Sequence, residues 1–491
     1  MEHERKGNAD SDEKVVVDNA GLGNSRGGVA ATSEEERLSH QAHVGGEAGP
    51  SGRALSDSPE NVITVDRTGL QKELEHLHGQ VPGKEEETPL AKHLKTLIKF
   101  RGGPITLAEY MKEVLTNPSD GFYMNRDVFG TKGDFVTSPD ISQMFGELLG
   151  IWAVVLWQQM GQPREVNLVE LGPGRGALMA DLMRGTAQFG AFTSALRVHL
   201  VEVSPALRDL QSKKLQCQEP GPRPSASGRD TDAGPSVSGI SGVPVTWHSS
   251  LEDVPRGPMI AIGHEFLDAL PVHQFQRTEL GWCERLVDVA PDWSQRHLRL
   301  VLSKGPTVAA KVYLKKRLET LSIVEQKNNP VIEVCPGAVD LAKELSKRIG
   351  EDGGGALLID YGDDKLAGDS LQAIKEHKFV DLLHAPGTAD LSAWVDFAAV
   401  KTAAAESGAD VQSYGPITQT QLLAQLGINT RVEKLLETAT EEEAEALEQA
   451  YLRLVGDQPG DEKAGTPPGM GAKYKAVVIA KKAQGPPFPF T

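Results

Sequence analysis

Hydrophobic positions fall at helical spacing as soon as the chain passes Pro89. In LAKHLKTLIKF, residues Leu94, Leu97 and Ile98 share one helix face. ITLAEYMKEVLTN repeats the pattern with Ile105, Tyr110 and Val114, and Thr106 reads as its cap. ISQMFGELLGIWAVVLWQQMG predicts a strongly apolar helix that stops at Gly161. The period then changes. EVNLVEL (165–171), LRVHLVEVS (196–204), VPVTWHSS, the buried run at 259–262 and GGALLIDYG (354–362) read as short strands. Between and after them, GALMADLMRGTAQFG, PALRDLQSKKLQ, DLAKELSKRI, a segment near 389–407, QTQLLAQLGI and TEEEAEALEQAYLRLV read as helices. WCERLVDVA and RHLRLVLSK alternate like antiparallel strands, and KYKAVVIAKK (473–482) reads as a closing edge-type strand. Strands alternating with helices predict an α/β fold with a mostly parallel, doubly wound sheet.

Composition changes the picture mainly before that point. The chain has 491 residues and a net charge of −17. Residues 1–90 hold 18 acidic and 9 basic side chains, a net of −9, and are rich in Gly, Ser and Glu. Such a stretch buries too little apolar surface to offset its chain entropy and reads as disordered. It begins MEHERKGNADSDEK and so does not resemble an Arg-rich, acid-poor transit peptide. The expected organisation is an acidic region at 1–89, then a helical extension with a covering loop at 90–161. A core follows at 162–482, with a Gly/Ser/Pro-rich mobile insert at 217–242, and a tail at 483–491. No basic footprint for nucleic acid appears. Cys217, Cys283 and Cys335 have no short spacing, so neither a disulfide framework nor a metal site is expected. No apolar run approaches the roughly 18 residues of a membrane span.

The chemistry concentrates in two stretches. LVELGPGRG (168–176) places Gly172, Pro173, Gly174 and Gly176 after an apolar strand with Glu170 near its end. Glycines there let the backbone turn with positive φ and approach a ligand, at the open N–H groups of a helix start. The spacing G-x-G-x-G departs from the dinucleotide fingerprint G-x-G-x-x-G. The next strand-end acid, Glu202, stands 30 residues past Gly172. This arrangement resembles the class I S-adenosylmethionine-dependent methyltransferases, whose glycine loop wraps the amino-acid part of the cofactor and whose second-strand acid receives the ribose hydroxyls. The other stretch is IAIGHEFLDALPVHQF (260–275), where His264, Glu265 and Asp268 follow a buried strand into the same crevice. Two carboxylates suit a guanidinium, whose planar fork they grip. They also suit the first turn of a helix, where they favour its dipole. His264 is an orienting group or a strand-end histidine. HEFLDALP lacks the N/D-P-P-Y/F motif of enzymes that methylate bases or amides.

GDFVTSPDISQMFGELLG (133–150), LVELGPGRG, HLVEVS, HEFLDALPVHQF, LLIDYG and APGTADLSAWVDF (385–397) together resemble the MidA family, over about residues 90–482. The resemblance implies a methyltransferase core with an N-terminal helical extension and inserted segments. It implies S-adenosylmethionine as cofactor and symmetric dimethylation of an arginine on a matrix-arm subunit of respiratory complex I, in the mitochondrial matrix, in support of complex I assembly. Carried over by position, it assigns Glu170, Gly172, Gly174, Gly176 and Glu202 to the cofactor. It adds a covering loop at Gly133, Asp134, Phe135, Thr137 and Pro139, and it sets Asp390 and Asp396 on the substrate side, with helix capping the other role open to Asp390. A non-catalytic assembly factor and a nicotinamide-dependent dehydrogenase remain as alternatives.

Overall fold

The computed structural model describes residues 86–124, 137–218, 235–366, 368–460 and 468–490. Seven strands form the body of its ten-stranded central sheet: β1 (Val166–Leu171), β2 (Leu196–Val201), β3 (Pro244–His248), β4 (Met259–His264), β5 (Gly354–Asp363), β6 (Val411–Thr418) and β7 (Tyr474–Lys481). Their order is β6-β7-β5-β4-β1-β2-β3. Neighbours from β5 to β3 run parallel, while β7 is antiparallel to both β5 and β6. The first helices after β1 and β2 carry the chain outward to β3, and β4 returns to the other side of β1. The carboxyl ends of β1 and β4 therefore diverge and leave the crevice in which such sheets bind ligands.

The edge-strand expectation for 473–482 is overturned: β7 is interior. Residues Ala476 to Ala480 are all buried, because both faces of the strand are covered. Lys473, Lys475, Lys481 and Lys482 lie at its two ends. The segment near 389–407 is helical only in its second half. Asp390–Ser392 and Val395–Asp396 are short strands, and the helix runs Phe397–Glu406 with Asp396 as its N-cap. At 217–242 the flanks pair as antiparallel strands, Cys217–Gln218 with Ser236–Ser238, and extend the sheet beyond β3.

The helix Gln143–Gln159 packs against Ala177–Thr186, the helix that follows β1. Glycines set their approach. A Cβ on Gly146 would lie 2.6 Å from Asp181 Cβ and 2.9 Å from the Leu178 carbonyl. Gly146→Val is therefore expected to destabilise the protein by about 1–3 kcal/mol through overpacking. A urea midpoint equal to that of the native chain would show that the helices are free to separate.

Between β4 and β5 the chain builds a second, antiparallel sheet from His273–Thr278, Gly281–Val289, Leu298–Leu302 and Val331–Val334, joined by Ile105–Thr106. The helices Pro89–Arg101 and Leu107–Thr116 cover it, with Leu94, Ile98, Met111 and Val114 packed on Val287, Val289 and Leu298. Thr106 caps the second helix in a reciprocal pair with Glu109. This layer packs on the turn after β4 at Ala269 and Val272. Among the described residues no helix is long and apolar enough to cross a membrane.

Candidate active site

The loop after β1 turns through Gly172, Gly174 and Gly176 at φ of 62°, 52° and 81°. The Gly172 N–H donates to the Val201 carbonyl at 3.0 Å, which ties the loop to the end of β2. A Cβ on Gly172 would sit 2.7 Å from the Phe266 ring. Gly176 opens the helix Ala177–Thr186 with no side-chain cap, so its first N–H groups are left for a ligand. Pro173 is buried in the turn, and its carbonyl accepts from the Gly176 N–H at 2.7 Å.

Glu202 directly follows β2 and is buried. Its Oε1 accepts from the Ser204 N–H at 2.8 Å and its Oε2 from Gln211 at 3.2 Å. Burial raises its pKa, opposed by these hydrogen bonds. Gln211 also donates to the Gly174 carbonyl at 2.8 Å and accepts from the Trp247 indole at 2.8 Å. It thus locks the glycine loop to the acid beside it. The sequence reading passed over Gln211. Its signal was its position four residues after Leu207, on the face of PALRDLQSKKLQ that the apolar pattern turns inward.

Glu170 is buried, its Oε2 has no hydrogen-bond partner, and burial followed by the charge of Glu202 pushes its pKa up to about 8. An orphaned buried acceptor costs about 1–3 kcal/mol. A cationic group placed beside it would satisfy it. Two acids, three turning glycines and an open helix start can hold S-adenosylmethionine, so the residues fit that cofactor.

The turn after β4 carries the other acids. Glu265 has φ 48°, rare for a residue with a side chain, and its N–H donates to the Ile359 carbonyl at 2.9 Å. From β5, Asp360 Oδ2 accepts the N–H groups of Phe266, Leu267 and Asp268 at 3.1, 2.9 and 3.2 Å. Asp360 is thus the group that shapes the turn, and burial together with Glu265 pushes its pKa up to about 8. Burial also lifts Glu265 and Asp268 well above the carboxylate range, reinforced for Glu265 by Asp268 and for Asp268 by Asp360 and Asp390. Ser138 and Arg453 pull Glu265 the other way. Glu265 Oε1 and Asp268 Oδ1 are buried without hydrogen-bond partners. His264 Nε2 lies 3.3 Å from Glu265 Oε1, not aligned to bond it, and burial lowers its pKa to about 3, so the ring is neutral. The ring meets Phe145 edge-on at 4.8 Å between centroids.

Asp390 joins this group: the Tyr123 hydroxyl donates to its Oδ1 at 2.7 Å, and its charge acts on Asp268. It lies in a strand and is the N-cap of no helix among the described residues. Asp396 does not join. It caps the helix Phe397–Glu406 through the Ala399 N–H at 3.0 Å and pairs with Arg317 Nε at 2.7 Å, so its two oxygens are spoken for away from the crevice. Thr137 precedes the short helix Ser138–Ile141 and bonds Asp140 at 3.1 Å. Its neighbours Ser138 and Asp140 both act on Glu265, which brings this end of the loop to the acid group. Gly133, Asp134 and Phe135 lie outside the described residues. Tyr123, Tyr361 and Tyr474, none of them singled out in the sequence, stand half-buried around the acids, and burial first, then the acids' charges, raise all three phenols.

A parallel sheet closed by an antiparallel β7, a three-glycine loop after β1 and an acid at the end of β2 define a class I S-adenosylmethionine-dependent methyltransferase. A crystal structure of a Burkholderia thailandensis protein bound to S-adenosyl-homocysteine has the same fold, at a TM-score of 0.60 and 24% identity, over 82% of this chain and 95% of that one. The chain belongs to the family described as "Putative S-adenosyl-L-methionine-dependent methyltransferase", whose model matches residues 148–415. The cofactor is S-adenosylmethionine. Protein arginine methyltransferase NDUFAF7, mitochondrial, of Mus musculus is 44% identical over 391 residues, 78% of this chain and 85% of that protein. Its Homo sapiens counterpart is 42% identical over 390 residues, 78% of this chain and 84% of that protein. These relatives agree with the resemblance to the MidA family.

Proposed function

We propose that this methyltransferase acts in the mitochondrion on an arginine of a protein, a matrix-arm subunit of respiratory complex I, and that the product is symmetric dimethylarginine. The observation that carries this reading is the pair of buried carboxylates, Glu265 and Asp268, each with an oxygen that has no partner. A guanidinium supplies five N–H donors in a plane and a full positive charge. Its arrival would satisfy both orphan oxygens and reverse the rise in their pKa. The relatives' names, protein arginine methyltransferase and mitochondrial, point the same way.

In this reading Glu170, Gly172, Gly174, Gly176 and Glu202 hold the cofactor, which supplies the methyl group from its sulfonium. The alignment of the attacking nitrogen is the work of Glu265 and Asp268, and alignment is the main demand of such a transfer. Asp390 and Tyr123 close the substrate side. His264 stays neutral beside Glu265 and adds no charge to the pair.

The test is transfer of a labelled methyl group from S-adenosylmethionine to the matrix arm of complex I purified from cells that lack this protein. Label in symmetric dimethylarginine of one subunit is the expected result. Label in lysine, or in asymmetric dimethylarginine, would refute the reading.

Glu170 adds a pH dependence. Its pKa of about 8 exceeds the ordinary carboxylate value, so its share of stability is present at low pH and is lost as pH rises through about 8. A cationic ligand reverses this by drawing the proton off. Binding of S-adenosylmethionine at pH 7 is therefore expected to release a proton, seen as heats that vary with the ionisation enthalpy of the buffer. Glu170→Gln should abolish that variation, and equal heats in all buffers for the native chain would contradict the placement of Glu170.

A further inference from the structure

The segment between the strands Leu298–Leu302 and Val331–Val334 serves no part of the site above, and its surface is unusual. It forms a π-helical turn, Ala310–Leu314, continued by the helix Lys315–Glu319 and then a separate helix, Ile323–Asn328. The inner side is ordinary core: Ala310, Leu314 and Leu321 pack on Phe275 and Ile332. The outer side carries aliphatic residues in water. Val308 is 77% exposed, Ile323 72%, Val324 65% and Val312 48%. Interleaved with them, Lys304, Lys311, Lys315, Lys316 and Lys327 are exposed and make no ion pair with any described residue. Arg317 points inward to Asp396, so Glu319 and Glu325 are the exposed acidic residues of this segment, against five lysines. Val308, Lys311, Val312, Lys315 and Lys316 fall at the three- and four-residue spacings of one helix face.

Basic and apolar residues on one outer face of a chain with net charge −17 call for a partner that is both anionic and apolar. Lysine, with no free arginine and only Tyr313 as an aromatic, is the wrong composition for a protein interface, which enriches Arg and aromatics and depletes Lys. It is the right one for a lipid surface, where lysines reach the headgroups and the aliphatic side chains enter the boundary below them. We infer that the helix face formed by Val308, Lys311, Val312, Lys315 and Lys316, together with the exposed Ile323 of the next helix, docks the protein peripherally on a membrane surface rich in anionic phospholipid. No described helix spans the bilayer in this arrangement. The lysines supply attraction and the exposed valines and isoleucine supply the shallow hold.

The test is flotation of the full chain with phosphatidylcholine vesicles, and with vesicles in which phosphatidylglycerol is mixed into phosphatidylcholine. Association with the anionic vesicles alone, weakening as salt is raised, is expected. Each lysine at such a surface is worth about a fivefold change in affinity, so Lys311→Glu, Lys315→Glu and Lys316→Glu together should weaken binding at least on the order of a hundredfold. The pair Val308→Ser and Ile323→Ser should weaken it while keeping the salt dependence. Both variants alter exposed positions, and unchanged binding of S-adenosyl-homocysteine would show that they remain folded. Equal association with both kinds of vesicle, no association with either, or unaltered binding by the charge variant would overturn the inference. Tighter retention on immobilised polyglutamate than on anionic vesicles would overturn it too, by assigning the face to an acidic protein.

Discussion

Glu202→Ala is expected to weaken S-adenosylmethionine binding on the order of 10²–10³-fold while leaving the protein folded. The size follows from what the carboxylate does. Each hydrogen bond to a charged group is worth about 1.5–3 kcal/mol, and a ribose offers two hydroxyls to one acid. The Ser204 N–H and Gln211 already hold the carboxylate in place at 2.8 and 3.2 Å, so little ordering is left to be done on binding. Stability should not fall by a comparable amount, because burial raises the pKa of Glu202 and keeping its charge there without a ligand is costly. Calorimetric titration of both proteins decides it. Affinity within a few-fold of the native value would mean that the ribose lies elsewhere and that Glu202 only braces the loop through Gln211. Gln211→Ala separates the two roles, since it loosens the loop yet leaves the acid.

The parallel sheet was legible because each strand is a short apolar run bounded by a turn, and the glycine loop was legible because its chemistry is local. What escaped depends on partners far away in the chain. Asp360 shapes the turn at 266–268 from 92 to 94 residues downstream, and no spacing rule reaches that distance. Tyr123 finds Asp390 across 267 residues. β7 was misplaced at an edge; lysines at strand ends look the same in sequence whether or not the middle is covered on both sides. Asp390 and Asp396 were read together from adjacent sequence, yet one lies in a strand facing the acids and the other begins a helix. A change from strand to helix between them sends their side chains to different places. The left-handed backbone of Glu265 was invisible for another reason. Glutamate gives no hint of positive φ, and the conformation is imposed by the bond from its N–H to Ile359 in β5.

Glu265→Gln and Asp268→Asn should each lower methyl transfer to arginine on the order of 10²–10³-fold, with binding of S-adenosyl-homocysteine unchanged. Removing one partner of a buried charged pair costs about 2–5 kcal/mol, which sets the range. Glutamine keeps the size of Glu265 and inherits the same backbone angle, so shape is preserved and only charge is lost. The structure also predicts the opposite sign for stability. Both acids have pKa values raised by burial, so the stability they confer is present below their ordinary values and lost as pH rises through the raised ones. In the absence of substrate the amide variants should therefore be as stable as the native protein in acid and more stable in alkali, where the native protein must carry buried charges. A residue kept for folding would behave in the reverse way, and its replacement would lower stability at every pH. Thermal melts across pH beside the transfer assay thus separate a binding site from a structural cluster. Loss of stability in alkali together with intact transfer would remove Glu265 and Asp268 from the reaction and leave the guanidinium without a seat in this crevice.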